Sequence, residues 1–270
     1  MDIEQTIFLG IIQGLTEFLP ISSSGHLVIC QHLIGLTDPE LLLDISLHVG
    51  TLLAVIIFFW ADVRAMVTDS LGLASTVFLR GSIRTAQFPH AILTLWVLLS
   101  LIPTALIGIV IQSFFREIFG STLVVGIMLM TTGTVLGASR LIPEHFTFRK
   151  EVGLISAVAI GLAQGAAIIP GISRSGATIV CGLFCGLDRE LAGRFSFLIS
   201  IPAIIGALVL EFDMAEVSQI GYIPFVTGIL ISFLVGLLAL KITMHFVRKG
   251  KLYWFLPYCF LAGIVAILIR

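Results

Sequence analysis

The sequence predicts an all-α polytopic membrane protein, with six transmembrane helices plus two re-entrant helical hairpins in an inverted-topology repeat. Three observations carry this expectation. Apolar residues make up 58% of the 270 and charged residues only 11%, with mean hydropathy +1.12, far from the quarter charged that is typical of soluble domains. A polar phrase occurs twice in that apolar background. The basic residues also distribute by side in only one of two topologies.

The duplicated phrase runs Gln13-Gly14-Leu15-Thr16-Glu17-Phe18-Leu19-Pro20-Ile21-Ser22-Ser23-Ser24-Gly25 in the first copy. It aligns without a gap on Gln164-Gly165-Ala166-Ala167-Ile168-Ile169-Pro170-Gly171-Ile172-Ser173-Arg174-Ser175-Gly176, 151 residues on (Gln13 against Gln164). Glycine and polar residues account for most of the matches, the types a membrane segment uses sparingly, so the chain reads as one membrane domain over 1–270 built from repeats of about 1–145 and about 150–270. The copies differ where chemistry would sit: Glu17 faces Ile168, Ser23 faces Arg174 and His26 faces Ala177.

Apolar segments run at about 5–36, 45–61, 89–111, 121–142, 152–187, 195–210, 222–247 and 253–269. Their lengths suit helical spans, and no strand-like alternation points to an outer-membrane barrel. The stretch 62–88 is expected to include an interfacial amphipathic piece. Pro20 with Ser22-Ser23-Ser24-Gly25 interrupts the first repeated segment, and Pro170-Gly171 with Ser173-Arg174-Ser175-Gly176 the second; Pro and Gly end one half-helix and Ser caps the next.

Each interrupted segment could cross the membrane or fold back. If both fold back, Arg64, Arg80, Arg84, Arg140, Arg149, Lys150, Arg189, Arg194, Arg248, Lys249 and Lys251 share one side, against Arg116 and Arg270 on the other. If both cross, the same residues divide seven to six. Basic residues concentrate in cytoplasmic loops, which favours the hairpins. The termini and the acidic segments (Asp38, Glu40, Asp44; Glu211, Asp213, Glu216) then lie outside. The hairpins enter from opposite faces, and their tips meet near the midplane. Gly10-x-x-x-Gly14 and Gly161-x-x-x-Gly165 are expected to let the two hairpins approach closely.

Two half-helix N-termini and Arg174 make an anion site, and guanidinium geometry suits a phosphate. The alternative for Arg174 is a structural ion pair with Glu17. Gln13 lies one turn before Glu17 on the same helix face, so the two can ligate a hard divalent cation or position a water. Ser22, Ser23 and Ser24 are candidate caps or site hydroxyls, and His26 a candidate acid or base. His48 opens a span and is a weaker candidate for the cavity. The four cysteines read as packing residues, and the start Met1-Asp2-Ile3-Glu4, lacking a basic n-region, is not expected to be a cleaved signal. Net charge −1 gives no electrostatic case for nucleic acid.

Gln13 through His26, together with Pro170-Gly171-Ile172-Ser173-Arg174-Ser175-Gly176-Ala177-Thr178, resembles the two signature motifs of the undecaprenyl pyrophosphate phosphatase family, the bacterial bacitracin-resistance proteins. Length and segment order resemble that family over nearly the whole chain. The resemblance implies hydrolysis of undecaprenyl pyrophosphate at a site open to the outer face of the bacterial plasma membrane, dependent on a divalent cation (Mg2+ or Ca2+). It implies that Glu17 holds the metal or activates the attacking group. Ser23 and His26 would be nucleophile and base, and Arg174 would hold the pyrophosphate with Ser173, Ser175 and Thr178; Gln13, Ser22 and Ser24 complete the candidate substrate site. Many members of the family carry Glu where this chain has Gln13, so the resemblance implies one carboxylate, Glu17, on that helix here. A transporter or flippase of a polyprenyl phosphate is the competing reading, and a structural membrane subunit a third. Membrane lipids are the expected surroundings, and a homodimer is left open.

Overall fold

The structure is a computed structural model and describes residues 3–33, 41–80, 87–114, 119–143, 148–211 and 221–269. Arg84, Arg116, His145, Arg270 and the acidic residues Asp38, Glu40, Asp213 and Glu216 lie outside the described residues, as do the side chains of Asp44, Arg80 and Glu211. Among the described residues the chain forms eleven α-helices: α1 (Ile3–Phe18), α2 (Ser23–Leu33), α3 (Leu41–Phe58), α4 (Trp60–Arg80), α5 (Pro89–Phe114), α6 (Thr122–Ala138), α7 (Leu154–Ala166), α8 (Arg174–Phe184), α9 (Arg189–Glu211), α10 (Tyr222–Arg248) and α11 (Leu256–Leu268). Helices satisfy their backbone groups internally, which the apolar interior of a bilayer demands.

Among the described residues, four helices are long and apolar enough to cross a membrane: Pro89–Phe114, Thr122–Leu141, Arg189–Val209 and Tyr222–Arg248. Ser46–Phe58 and Trp60–Phe78, bent by 78°, make a fifth when taken as one broken span. The six separate spans expected from the sequence exceed this set, because α3 passes only in combination with α4, and the last apolar stretch, Leu252–Leu268, is short. Exposed Leu106, Leu230, Leu234 and Leu261 give the assembly an apolar outside, as lipid contact requires.

Each interrupted segment forms two helices that contact each other across the break, α1 with α2 and α7 with α8. Leu9 of α1 and Leu27 of α2 share a buried cluster with Leu47, and Gly182 of α8 lies where a Cβ would touch Ile160 of α7 at 3.4 Å. The 62–88 stretch begins with α4, whose polar side chains tie it down: Asp62 pairs with Arg194 of α9, and Asp69 accepts from the backbone N–H and Nδ1 of His90 on α5, both at 3.0 Å. Its opposite side leaves Trp60, Val67, Leu71 and Phe78 exposed. This two-sidedness agrees with the amphipathic piece expected there.

The small-residue motifs act differently from expectation. They do not join one hairpin to the other; each seats its hairpin on a long helix of the opposite half of the chain. A Cβ on Gly10 would stand 3.0 Å from Ile231, and one on Gly14 2.8 Å from Val235, both on α10. A Cβ on Gly165 would stand 2.8 Å from Ile107 of α5, and Gly161 lies against Ser100 and Pro103 of the same helix. The reason is reach: the hairpin's break carries its polar contacts, and the glycine face one or two turns earlier meets a helix long enough to run beside it. Helices α6 and α11 also cross at glycines, where a Cβ on Gly126 would lie 2.6 Å from the Gly263 carbonyl oxygen.

That crossing has backbone on the opposing side, which cannot swing away. Gly126→Leu should therefore lower stability by about 1–3 kcal/mol or more, seen as an earlier thermal unfolding transition in detergent. Gly206→Ala, at a position with nothing within 4 Å of the added Cβ, should be neutral or slightly stabilising in the same assay.

Candidate active site

Pro20 has no N–H to continue α1. The chain turns through Ile21, whose N–H donates to the Leu19 carbonyl at 2.7 Å, and through Ser22 at φ 70°. The second break turns at Gly171, with φ 97°. There a side chain would also strike the Val125 carbonyl at 2.5 Å and Met128 at 2.7 Å, so both backbone and space call for glycine. The breaks touch each other: a Cβ on Gly25 would lie 3.1 Å from Gly171 Cα.

Polar backbone freed by the second break is satisfied by Thr132 of α6. Its hydroxyl donates to the Gly171 carbonyl at 2.8 Å and accepts from the Ser173 N–H at 2.9 Å. Ser173 then caps α8, accepting from the Gly176 N–H at 3.1 Å, as an N-cap serine does.

Glu17 is the centre of the site, 7% exposed. One carboxylate oxygen accepts from the Arg174 guanidinium in an ion pair. The other accepts from Ser23 Oγ at 2.6 Å and from Gln13 Nε2 at 3.1 Å, with His48 Nε2 at 4.0 Å. Side chains from three other helices, α2, α3 and α8, thus converge with Gln13 of α1 on one carboxylate. The Gln13 side-chain oxygen is buried with no hydrogen-bond partner. An unmatched amide oxygen beside a carboxylate is a donor set that suits a hard cation. Among the described residues no three His, Cys, Asp or Glu side chains cluster as metal ligands, so a cation here would need substrate oxygens or water to complete its shell.

The other expected residues are placed as follows. His26 is not joined to Ser23. Its Nδ1 meets the Ser22 carbonyl at 2.7 Å and its Nε2 meets the Tyr258 hydroxyl at 2.8 Å. Ser22 Oγ accepts weakly from the Gly25 N–H at 3.3 Å and lies 3.4 Å from Ser24 Oγ. Ser175 Oγ reaches the Leu19 carbonyl of the first break at 3.4 Å. Thr178 is fully buried one turn below Arg174, 2.5 Å from Ser196 Oγ of α9, and faces packing rather than the Glu17 cluster. All four cysteines are free thiols. Sequence reasoning gave His48 little weight and passed over Thr132 and Tyr258; their signal is only a polar residue inside an apolar span, which has many other uses. A cavity of about 550 Å³ lies elsewhere, lined by His90, Trp96, Lys150 and Arg194 among others and by none of the Glu17 cluster.

Fold and site together define a multi-pass helical membrane protein that holds an acid, a hydroxyl and a guanidinium at the breaks of its two interrupted segments. The family described as bacitracin resistance protein BacA matches residues 6–265, and the chain belongs to that family. It is 42% identical to the undecaprenyl-diphosphatase of Desulforapulum autotrophicum over 99% of this chain and 98% of that protein. It is 43% identical to that of Halothermothrix orenii (100% and 98%) and 41% identical to that of Korarchaeum cryptofilum (98% of each).

Breaking a buried ion pair on one side leaves the other charge stranded, at about 3–5 kcal/mol, whereas removing both charges is far milder. Glu17→Gln and Arg174→Gln should therefore each lower the thermal transition more than the double variant does, which a double-mutant cycle on detergent-purified protein would measure.

Proposed function

We propose that this chain is an undecaprenyl-diphosphatase, releasing inorganic phosphate from undecaprenyl diphosphate and returning the monophosphate carrier to cell-wall synthesis. Removing the diphosphate form, the lipid the resemblance links to bacitracin, would confer resistance to that antibiotic. Full-length identity above 40% to proteins of that name supports the reading. The observation that carries the chemistry is Glu17, with Ser23 on one carboxylate oxygen and Arg174 on the other.

In the proposed reaction the Ser23 hydroxyl attacks the terminal phosphorus and passes its proton to Glu17. The bond from phosphorus to the bridging oxygen breaks, and its electron pair leaves with undecaprenyl phosphate. Water then attacks the phosphoserine phosphorus and the bond from phosphorus to Ser23 Oγ breaks; Glu17 returns to that oxygen the proton it took, and both protons of the water leave with the released phosphate. Arg174 exchanges its carboxylate partner for phosphate oxygens, neutralising the charge that phosphoryl transfer spreads over them. The positive ends of α2 and α8, which both begin at the breaks, act in the same sense. With His26 bonded at both nitrogens, Glu17 is the base within reach of Ser23. A divalent cation, Mg2+ or Ca2+, would be held by Glu17 and the free Gln13 oxygen and would supply further charge neutralisation.

The proposed topology is an inverted repeat with both hairpins re-entrant. Its support is the exchange of partners, α1 on α10 and α7 on α5, together with arm length. Helices α2 and α8 have 11 residues each, about 17 Å, roughly half of a 30 Å hydrocarbon layer. The basic-residue asymmetry of the sequence supports a first hairpin whose mouth opens on the outer face of the bacterial plasma membrane.

Purified protein in detergent should release phosphate from undecaprenyl diphosphate. Chelation of divalent cations should abolish turnover, and restoring Mg2+ should recover it. Folded Ser23→Ala, Glu17→Gln and Arg174→Ala should each lose about 100-fold or more in kcat. A folded wild type that releases no phosphate with lipid and metal present would instead point to a transporter of the polyprenyl phosphate, testable by flux across liposomes.

A further inference from the structure

The two breaks are built alike in sequence, yet only the first holds a non-glycine residue in the left-handed region. Ser22 has φ 70°, and its counterpart Ser173 has φ −75° and ψ 116°, the ordinary backbone of an N-cap. Side-chain-bearing residues avoid the left-handed region, and one persists there only where its surroundings hold it. This strained residue directly precedes Ser23.

What holds Ser22 is a relay from the last helix. A carbonyl oxygen can only accept, so the 2.7 Å contact between His26 Nδ1 and the Ser22 oxygen places the proton on Nδ1. In the neutral ring Nε2 is then the acceptor, and the Tyr258 hydroxyl donates to it at 2.8 Å. The two rings lie nearly parallel, 6° apart in plane with centroids 5.7 Å apart. His26 is buried and Tyr258 is half-exposed on α11. The next residue, Cys259, approaches the same break, its Sγ 3.9 Å from the Pro20 carbonyl.

The Ser22 carbonyl belongs to the planar peptide group that also contains the N and Cα of Ser23. Fixing that oxygen fixes the plane from which the Ser23 side chain projects toward Glu17. The second break is held in the same manner by Thr132 of α6, the helix packed against α11. The crossed pair α6 and α11 thus grips one break each.

Resting on the phosphatase reading above, we propose that Tyr258 is a positioning residue of the reaction, acting through His26 to hold the Ser22–Ser23 peptide, and that His26 orients this peptide rather than serving as base. No proton is transferred to His26 in this account.

The test is steady-state phosphate release from undecaprenyl diphosphate by the full chain in detergent, for wild type, Tyr258→Phe, His26→Asn and His26→Ala, with a thermal transition for each. Tyr258→Phe keeps the ring and removes one hydrogen bond. It should lower kcat about tenfold with KM and thermal transition near those of the wild type. Asn offers an amide N–H close to where Nδ1–H stands, so His26→Asn should stay within about tenfold of wild type while His26→Ala falls about 100-fold or more. Unchanged kcat in Tyr258→Phe overturns the proposal. So does His26→Asn as inactive as His26→Ala, since an imidazole is then required, and so does a Tyr258→Phe defect matched by a lowered thermal transition. Absence of turnover in folded wild type overturns the phosphatase reading itself and this proposal with it.

Discussion

A carboxylate and a guanidinium can share apolar surroundings only if each satisfies the other, and Glu17 and Arg174 meet that condition from opposite halves of the chain. Much of the architecture serves to make that meeting available. Helix α1 must end beside Glu17 and α8 must begin at Arg174, so both repeated segments break at the same level. Each break frees backbone groups that membrane surroundings cannot satisfy, so side chains must satisfy them. Thr132 performs this for the second break, and His26 for the first.

In the proposed reaction the same ion pair is the contact that substrate opens. A guanidinium held by one carboxylate oxygen can change partners when a phosphate arrives, and the carboxylate keeps Ser23 and Gln13 on its other oxygen. The anion therefore replaces one charge with another and leaves no bare cation behind. The duplicated phrase breaks a helix in both copies, and the two copies carry different chemistry. One copy supplies the acid and the hydroxyl, the other the cation.

Much of this was legible in the sequence. The duplicated phrase located both breaks, since Pro20 and Pro170-Gly171 interrupt long apolar runs, and the helix boundaries follow them closely. Glu17 and Arg174 stood out because a charge within an apolar segment is expensive and demands a partner. The pairing of Ser23 with His26 as nucleophile and base is what the family resemblance implies. The geometry gives Ser23 to Glu17 instead, because the chain direction changes at Ser22 and turns the imidazole toward α11. Thr178, one helical turn beyond Arg174, meets Ser196 of α9, a neighbour that its place in the motif does not announce. Spacing along a helix states which face a residue shares, and does not state what stands opposite that face.

By itself, then, the sequence determined the class of protein, the two helix breaks and the residues whose charge makes them costly. These follow from composition and local backbone rules, which act within a few residues. Only the tertiary structure decided the partners: α1 on α10, α7 on α5, Tyr258 against His26 and Thr132 against the Gly171 carbonyl. Those contacts join residues 39 to 232 positions apart, and no periodicity in the chain encodes them, because they are selected by which surfaces fit once the helices have formed.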